Sequence, residues 1–218
     1  MFKQPLLFLS RAESKNKPYQ RIKVVEESED ILELWDTKIR PYIIDNEPLR
    51  LDAQWDWRKN WKFANWLTSR SQQNLKIYAS YIESQQGTPV LYSLMIAAQN
   101  YHSLSDRNEK ATFIWWLARS PESFLKKHSV DIDNLPFLIP IKVDTAIVDS
   151  FKVGCKGHIG LHADPKGKDS LISSYKKAGM LRLNERKFIK GIRRNDGRFF
   201  YSDALTSQSL FLKYNSLR

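Results

Sequence analysis

The sequence predicts a single α/β (α+β) domain built on a mixed central sheet flanked by helices. Three observations predict it. A chain of 218 residues matches one ordinary domain and is too short for two large ones. Hydrophobic residues make up 42% of it and aromatics 12%, enough to fill a core and inconsistent with wholesale disorder. The apolar periodicity runs helix, helix, three strands, helix, strand, helix, hairpin. Strands that first meander and then alternate with helices call for a mixed sheet.

Each element has its own warrant. Residues 1–28 are polar and uneven and read as an N-terminal extension, with residues 21–25 suited to an edge strand. A first helix is expected over 29–40: Ser28 can cap it, Glu29 and Asp30 suit its positive end, and Pro41 limits it. Its apolar positions Ile31, Leu34, Trp35 and Ile39 fall at helical spacing. A second helix fits 53–69, where Trp55, Trp57, Trp61, Phe63, Trp66 and Leu67 cover more than one face. Those aromatics either pack on a sheet or wall an acceptor pocket. Residues 74–83, 90–98 and 111–118 read as three consecutive strands, the second nearly all apolar and therefore central.

The connection 119–139 shows no regular pattern. Pro140 then suits the first turn of a helix lined by Ala146, Ile147 and Phe151 and stopped by Gly154. Residues 157–163 read as a strand and 168–178 as a helix with Leu171, Ile172 and Tyr175 inward, ended by Gly179. Residues 186–193 and 198–202 flank Asn195-Asp196-Gly197, a strong hairpin signal. The main domain is thus expected over 29–203, with 204–218 a tail able to form a short helix through Leu205, Leu210, Phe211 and Tyr214.

Charge and composition narrow the partners. Thirty-five basic against 24 acidic residues leave a net charge of +11, which favours an anionic partner. Cys155 is the only cysteine, so neither an internal disulfide nor a thiolate-rich zinc site can form. The apolar runs fall short of the roughly 20 residues of a membrane span. The first residues also lack the apolar core of about 7–15 that a secretory leader needs. The expected location is the cytoplasm, away from membranes.

Several motifs fail on spacing. From Gly160 to Gly167-Lys168 there are six intervening residues where a phosphate loop has four, and Asp169 stands where Ser or Thr would bind magnesium. His158 and His162 share one face of a predicted strand about 13 Å apart, too far to hold one ion. No Gly-x-Ser-x-Gly elbow occurs. Cys155 beside His158 reads as a small core hydrophobe rather than a thiol nucleophile.

The stretch GCKGHIGLHADPKGKDSLISSYKKAGM, residues 154–180, resembles the GNAT-type N-acetyltransferases. Its end, Tyr175-Lys176-Lys177-Ala178-Gly179-Met180, is similar to the family's Y-x-x-x-G-[FM] ending. One bacterial branch has a fifth strand G-x-x-G-R-[IV]-G-L-H-A, matched here from Gly154 to Ala163 except that His158 replaces the Arg. Trp115-Trp116-Leu117-Ala118-Arg119-Ser120-Pro121 resembles that branch's fourth strand and proline turn. Residues 86–95 resemble its third strand with the preceding glycine turn, and 52–57 part of its acceptor side, so the likeness covers about residues 50–203.

The resemblance implies that strands four and five splay apart. Backbone groups of Trp116, Leu117, Ala118 and Arg119 would then pair with the pantetheine arm of acetyl-CoA. The pyrophosphate would sit at the next helix N-terminus, near Leu138, Ile139 and Lys142. Tyr175 would protonate the departing thiolate. The family's loop Q/R-x-x-G-x-G/A is missing, and Val130-Asp131-Ile132-Asp133-Asn134-Leu135-Pro136-Phe137 stands there. Either side chains such as Lys126, Lys127 and Lys142 hold the phosphates, or cofactor binding is impaired.

His162 and Asp164, at the predicted end of strand five, are the candidates for deprotonating an acceptor amine. Equally, His162 can be a hydrogen-bonded structural residue and Asp164 a turn cap before Pro165. Glu122 is a further candidate. The implied function is a metal-independent transferase moving acetyl from acetyl-CoA to a primary amine of a small molecule or protein. The alternatives are a catalytically degenerate protein of the same fold and a basic nucleic-acid-binding module. For the latter, Arg186, Lys187, Lys190, Arg193, Arg194 and Arg198 interleave with Phe188, Phe199, Phe200 and Tyr201. Those aromatics also suit the core face of a hairpin whose charges meet water.

Overall fold

Nearly unbroken apolar runs are driven to the middle of a sheet, where both faces are covered. Strand β4 (Pro89–His102) is such a run, and it lies between β3 (Asn74–Glu83) and β5 (Lys110–Arg119) in an antiparallel meander. In the computed structural model, residues 7–8, 20–69, 71–133, 135, 137–185 and 195–215 are described. Among them the remaining strands are β1 (Leu7–Phe8), β2 (Gln20–Glu27), β6 (Ile159–His162), β7 (Leu181–Arg182) and β8 (Phe199–Ser202). The eight strands run in the order β1-β2-β3-β4-β5-β6-β8-β7. Only β5 and β6 pair in parallel, so the sheet is mixed, as the element order predicts.

The β5–β6 contact is short. It consists of the pairs Thr112–Ile159, Phe113–Gly160 and Ile114–Leu161. At Gly160 the strands approach closely: a Cβ there would lie 3.0 Å from the Phe113 ring. Beyond Ile114, Trp115 is bulged out of register with β4, where Ile96 faces Trp116 and Ala97 faces Ile114. A bulge bends its strand and strengthens the local twist. Strand β6 meanwhile stops at His162, where the Asp164 carboxylate accepts from the Lys166 amide at 2.8 Å and Pro165 opens a 3₁₀ turn. The two strands therefore part after three residue pairs.

Helices cover both faces. Helix α5 (Leu138–Lys152) is pinned to the sheet by a buried polar network. Asp149 accepts from Tyr78, from Gln99 at 2.7 Å and from Thr112 at 2.9 Å, and the Tyr78 phenol is raised by burial and by that carboxylate. Both carboxylate oxygens are hydrogen-bonded, which is what allows this side chain to be buried. Helix α6 (Lys168–Lys177) ends at Gly179, at φ +88°, and α7 (Ala204–Tyr214) packs on α5, so the expected tail helix is real. Helix α4 (Glu122–Lys127) follows β5 directly.

Several expectations change. The helix expected over 29–40 continues through Pro41: α1 (Asp30–Leu34), a π-helical turn (Trp35–Ile39) and α2 (Arg40–Asn46) follow without a break. The wide π turn accommodates the proline ring, and Trp35, Ile39 and Ile43 keep one buried face across it. Helix α3 (Trp57–Thr68) starts later than residue 53, because the Asp56 carboxylate caps it by accepting from the Lys59 amide at 2.9 Å. The stretch 119–139 contains α4 and the first turn of α5, short helices whose periodicity is too brief to read. The strand expected over 186–193 lies outside the described residues; among those, Leu181–Arg182 (β7) pairs with β8. The strand expected at the edge over 21–25 is β2, which pairs with β1 on one side and β3 on the other, so it is not an edge and the sheet begins before residue 29.

Gly157 has φ +85°, and a Cβ there would lie 2.7 Å from the Phe151 ring and 3.0 Å from Ser207. Gly157→Ala is expected to destabilise the fold by about 2 kcal/mol, lowering the urea midpoint with an unchanged slope. A loss under about 0.5 kcal/mol would contradict this packing.

Candidate functional site

Where β5 and β6 part, a cleft of about 540 Å³ opens. Its walls are the β5 residues Trp115–Arg119, the end of β6 with His162 and Asp164, Leu138 at the start of α5, and Glu47, Arg50, Leu51, Asp52 and Trp55 from the segment before α3. Ile114, Leu161, Leu171 and Tyr175 also line it. Among the described residues, β5 has no strand partner on this side beyond Ile114. Main-chain groups rarely remain unpaired away from water, so this edge is one a ligand can complete.

The sequence-derived residues Trp116, Leu117, Ala118, Arg119, Leu138, Tyr175, His162 and Asp164 all border this one cleft. Tyr175 is buried, with its ring centroid 5.3 Å from that of Phe200. Burial, and then the nearby Asp164 charge, push its phenol well above the ordinary range, so it is protonated at neutral pH. His162 packs on Phe199 with centroids 4.3 Å apart and bonds the Asp196 carboxylate through Nε2 at 3.0 Å. Burial tends to raise the Asp196 carboxyl, but the bonds from His162 and from the Arg198 amide outweigh it and hold it below its usual value. Asp164 serves as the turn cap described above.

The first turn of α5 adds a second feature. No side chain caps it, so the amides of Leu138 and Ile139 end the helix without an intrahelical acceptor. Ile139 itself does not line the cleft. Lys142 must be removed from the phosphate candidates. It points into the sheet, fully buried, with its ammonium on Ser80 Oγ at 2.9 Å and the Tyr78 carbonyl at 3.3 Å, and burial pulls it down to about 7. Lys127 is engaged with the Tyr42 hydroxyl at 2.6 Å, and Lys126 is exposed on α4. Glu122 is paired with Arg119 at 3.4 Å and is not part of the lining.

A cation that sequence reasoning passed over organises one wall of the cleft. Arg50 binds Asp52 in a fork at 2.9 and 2.6 Å, Glu47 at 2.9 Å, and the Arg119 carbonyl at 2.6 Å. Burial opposes its charge, yet the two carboxylates win and raise its pKa. The fork ties the loop before α3 to the end of β5. No local pattern announces it, because the partner carbonyl is 69 positions away.

The basic hairpin also reads differently. Residues 186–194 lie outside the described set. Phe199 and Phe200 are buried in the sheet, and Arg198 is not a free tip charge: it donates to the carbonyls of Ala163 at 3.0 Å and Asp164 at 2.6 Å. The turn 195–198 thus borders the end of β6 and is not remote from the cleft. Cys155 is buried beside Asn100, with its thiol raised by burial. His158 is buried against Ser103 and Ser105. Among the described residues no group of three or more metal-ligating side chains gathers, and no helix is long and apolar enough to cross a membrane.

No protein-family model matches the chain, and no curated protein matches it. Solved structures do. A mutant of the AtaT toxin bound to the C-terminus of the antitoxin AtaR aligns with TM-score 0.50 at 11% identity, covering 87% of this chain and 98% of that one. The fold is that of the GNAT acetyltransferases. An aminoglycoside acetyltransferase in complex with coenzyme A and kanamycin aligns at 0.47 and 15% identity over 89% and 99% of the two chains. Spermidine N-acetyltransferase from Vibrio cholerae, in complex with CoA and spermine, aligns at 0.46 and 14% identity over 88% and 98%.

Arg50→Ala leaves two carboxylates and a carbonyl facing one another without their cation. It is expected to cost about 1–3 kcal/mol in chemical denaturation. Arg50→Lys should not restore the loss, because an ammonium cannot make the fork. Full rescue by Lys would show that charge alone matters.

Proposed function

We propose that the chain is an acetyl-CoA-dependent N-acetyltransferase that acts on a primary amine. The observation that carries this reading is the unpaired edge of β5 above a cleft of about 540 Å³ with Tyr175 in its lining. The pantetheine arm is an extended chain with two amides. The main chain of Trp116–Arg119 offers it the hydrogen bonds of a missing strand. The Arg119 carbonyl already accepts from Arg50, so the edge nearest the bulge would carry most of this pairing. The uncapped amides of Leu138 and Ile139 suit the pyrophosphate, aided by the helix dipole.

Acetyl-CoA supplies a thioester-activated acetyl group. This chain's part is to orient it and to manage two protons. The Tyr175 hydroxyl, kept protonated by burial, is the donor to the sulfur as the C–S bond breaks. His162 is the group in the lining best suited to receive a proton from the amine, since Asp164 is committed to its turn. Of the aromatics on which the nucleic-acid reading draws, Phe199 and Phe200 are buried and cannot stack on bases.

Isothermal titration is expected to show saturable binding of acetyl-CoA, competed by CoA. No heat and no thermal shift at millimolar CoA would remove the proposal. Tyr175→Phe should lower kcat by about 10²–10⁴-fold with little change in acetyl-CoA affinity, because the hydroxyl acts as charge develops on sulfur. An unchanged kcat, with chemistry limiting, would exclude Tyr175 from the reaction.

A further inference from the structure

Of the groups around the cleft, the turn 195–198 is held most elaborately. Asn195 donates to the Asn184 carbonyl at 2.7 Å and accepts from the Gly197 amide at 2.9 Å. Arg182 donates to the Gly197 carbonyl. Arg198 bonds the carbonyls of Ala163 and Asp164 at 3.0 and 2.6 Å, and the Ala163 amide donates back to the Arg198 carbonyl at 2.9 Å. The turn is thereby fastened to the two residues that follow His162. From this frame Asp196 presents both carboxylate oxygens to His162 Nε2, at 3.1 and 3.0 Å, while Oδ1 also accepts from the Arg198 amide at 3.0 Å. Phe199 also packs on the ring, with centroids 4.3 Å apart.

We infer that Asp196 is a positioning residue for His162, making the pair a carboxylate–imidazole dyad whose working base is Nδ1. This rests on the transferase reading above. The reasoning is chemical. An ionised carboxylate only accepts hydrogen bonds, so the nitrogen facing it must carry a proton. Neutral His162 therefore holds its proton on Nε2 and its lone pair on Nδ1, the nitrogen the dyad leaves free to serve the cleft. During transfer the amine nitrogen forms the N–C bond, the C–S bond breaks, the amine proton passes to Nδ1 and the Tyr175 proton passes to sulfur. The resulting imidazolium is offset by the Asp196 carboxylate beside it.

Stability alone does not account for the arrangement. The two side chains are 33% and 38% exposed, and exposed pairs of this kind contribute little to folding. What the geometry does supply is one tautomer and one ring orientation at the edge of the cleft.

The test is a double-mutant cycle in the full-length protein. Asp196→Asn keeps an acceptor for the Arg198 amide but turns an N–H toward Nε2, which favours the opposite tautomer. CoA release from acetyl-CoA would be followed with a panel of probes: a diamine, a polyamine, an aminoglycoside and a lysine-containing peptide. Asp196→Asn is expected to lower kcat about 10–100-fold, with KM and the acetyl-CoA Kd changed less than about twofold. In a His162→Gln background the same substitution should have no further effect on kcat. The two-bond ¹H–¹⁵N spectrum of His162 should show the Nε2–H tautomer in the unmodified protein and lose it in Asp196→Asn. An active protein whose kcat is unmoved by Asp196→Asn, or equally reduced in both backgrounds, would overturn the dyad and leave the transferase reading intact. Acetyl-CoA binding with no turnover of any amine would overturn both.

Discussion

The parting of β5 and β6 is the constraint on which the rest depends. Two neighbouring strands in a sheet normally satisfy each other's main-chain groups, and abandoning that arrangement is costly unless something replaces it. Here both strands have a reason to leave. The bulge at Trp115 bends β5, and the Asp164–Pro165 turn ends β6 at His162. Neither device alone would open a cleft: a bent β5 could still be followed by a longer β6, and a short β6 could still lie beside a straight strand. Together they leave a row of main-chain groups whose natural complement is an extended amide-bearing molecule.

Everything around the opening holds its two lips at a fixed separation. The Asp149 network seats α5 on β3, β4 and β5, so the uncapped end of α5 faces the cleft in a set place. Arg50 ties the loop before α3 to the end of β5, and Arg198 ties the turn 195–198 to the end of β6. These are contacts to backbone carbonyls, which cannot rotate away as a side chain can. A wedge kept open by fixed donors needs little reorganisation when a ligand enters, which favours both binding and catalysis.

Much of this was legible in the sequence, and the reasons are local. The run in β4, the inward Tyr175 of α6 and the stop at Gly179 each express a period or a turn preference within about ten residues. The resemblance in residues 154–180 then brought β5, β6 and Tyr175 to one place. The failures have physical causes of another kind. Pro41 marks a helix end in the sequence, and the π turn that carries the helix past it leaves no composition signal. Lys142 looked like a phosphate ligand by position along the chain, but its place on the helix turns it into the sheet. Arg50 and Asp196 act on groups 69 and 34 positions away, and no one-dimensional pattern encodes such contacts.

The central claim is that a ligand completes the free edge of β5, and amide hydrogen exchange reads that edge directly. In the free protein the amides of residues 115–119 that face the cleft should exchange faster than those of β4, which are paired on both sides. At saturating acetyl-CoA, exchange in the peptide spanning 115–119 should slow, along with that at the start of α5, while β2 and β3 remain unchanged. Saturation with acetyl-CoA that protects some other surface and leaves 115–119 as fast as before would contradict the account.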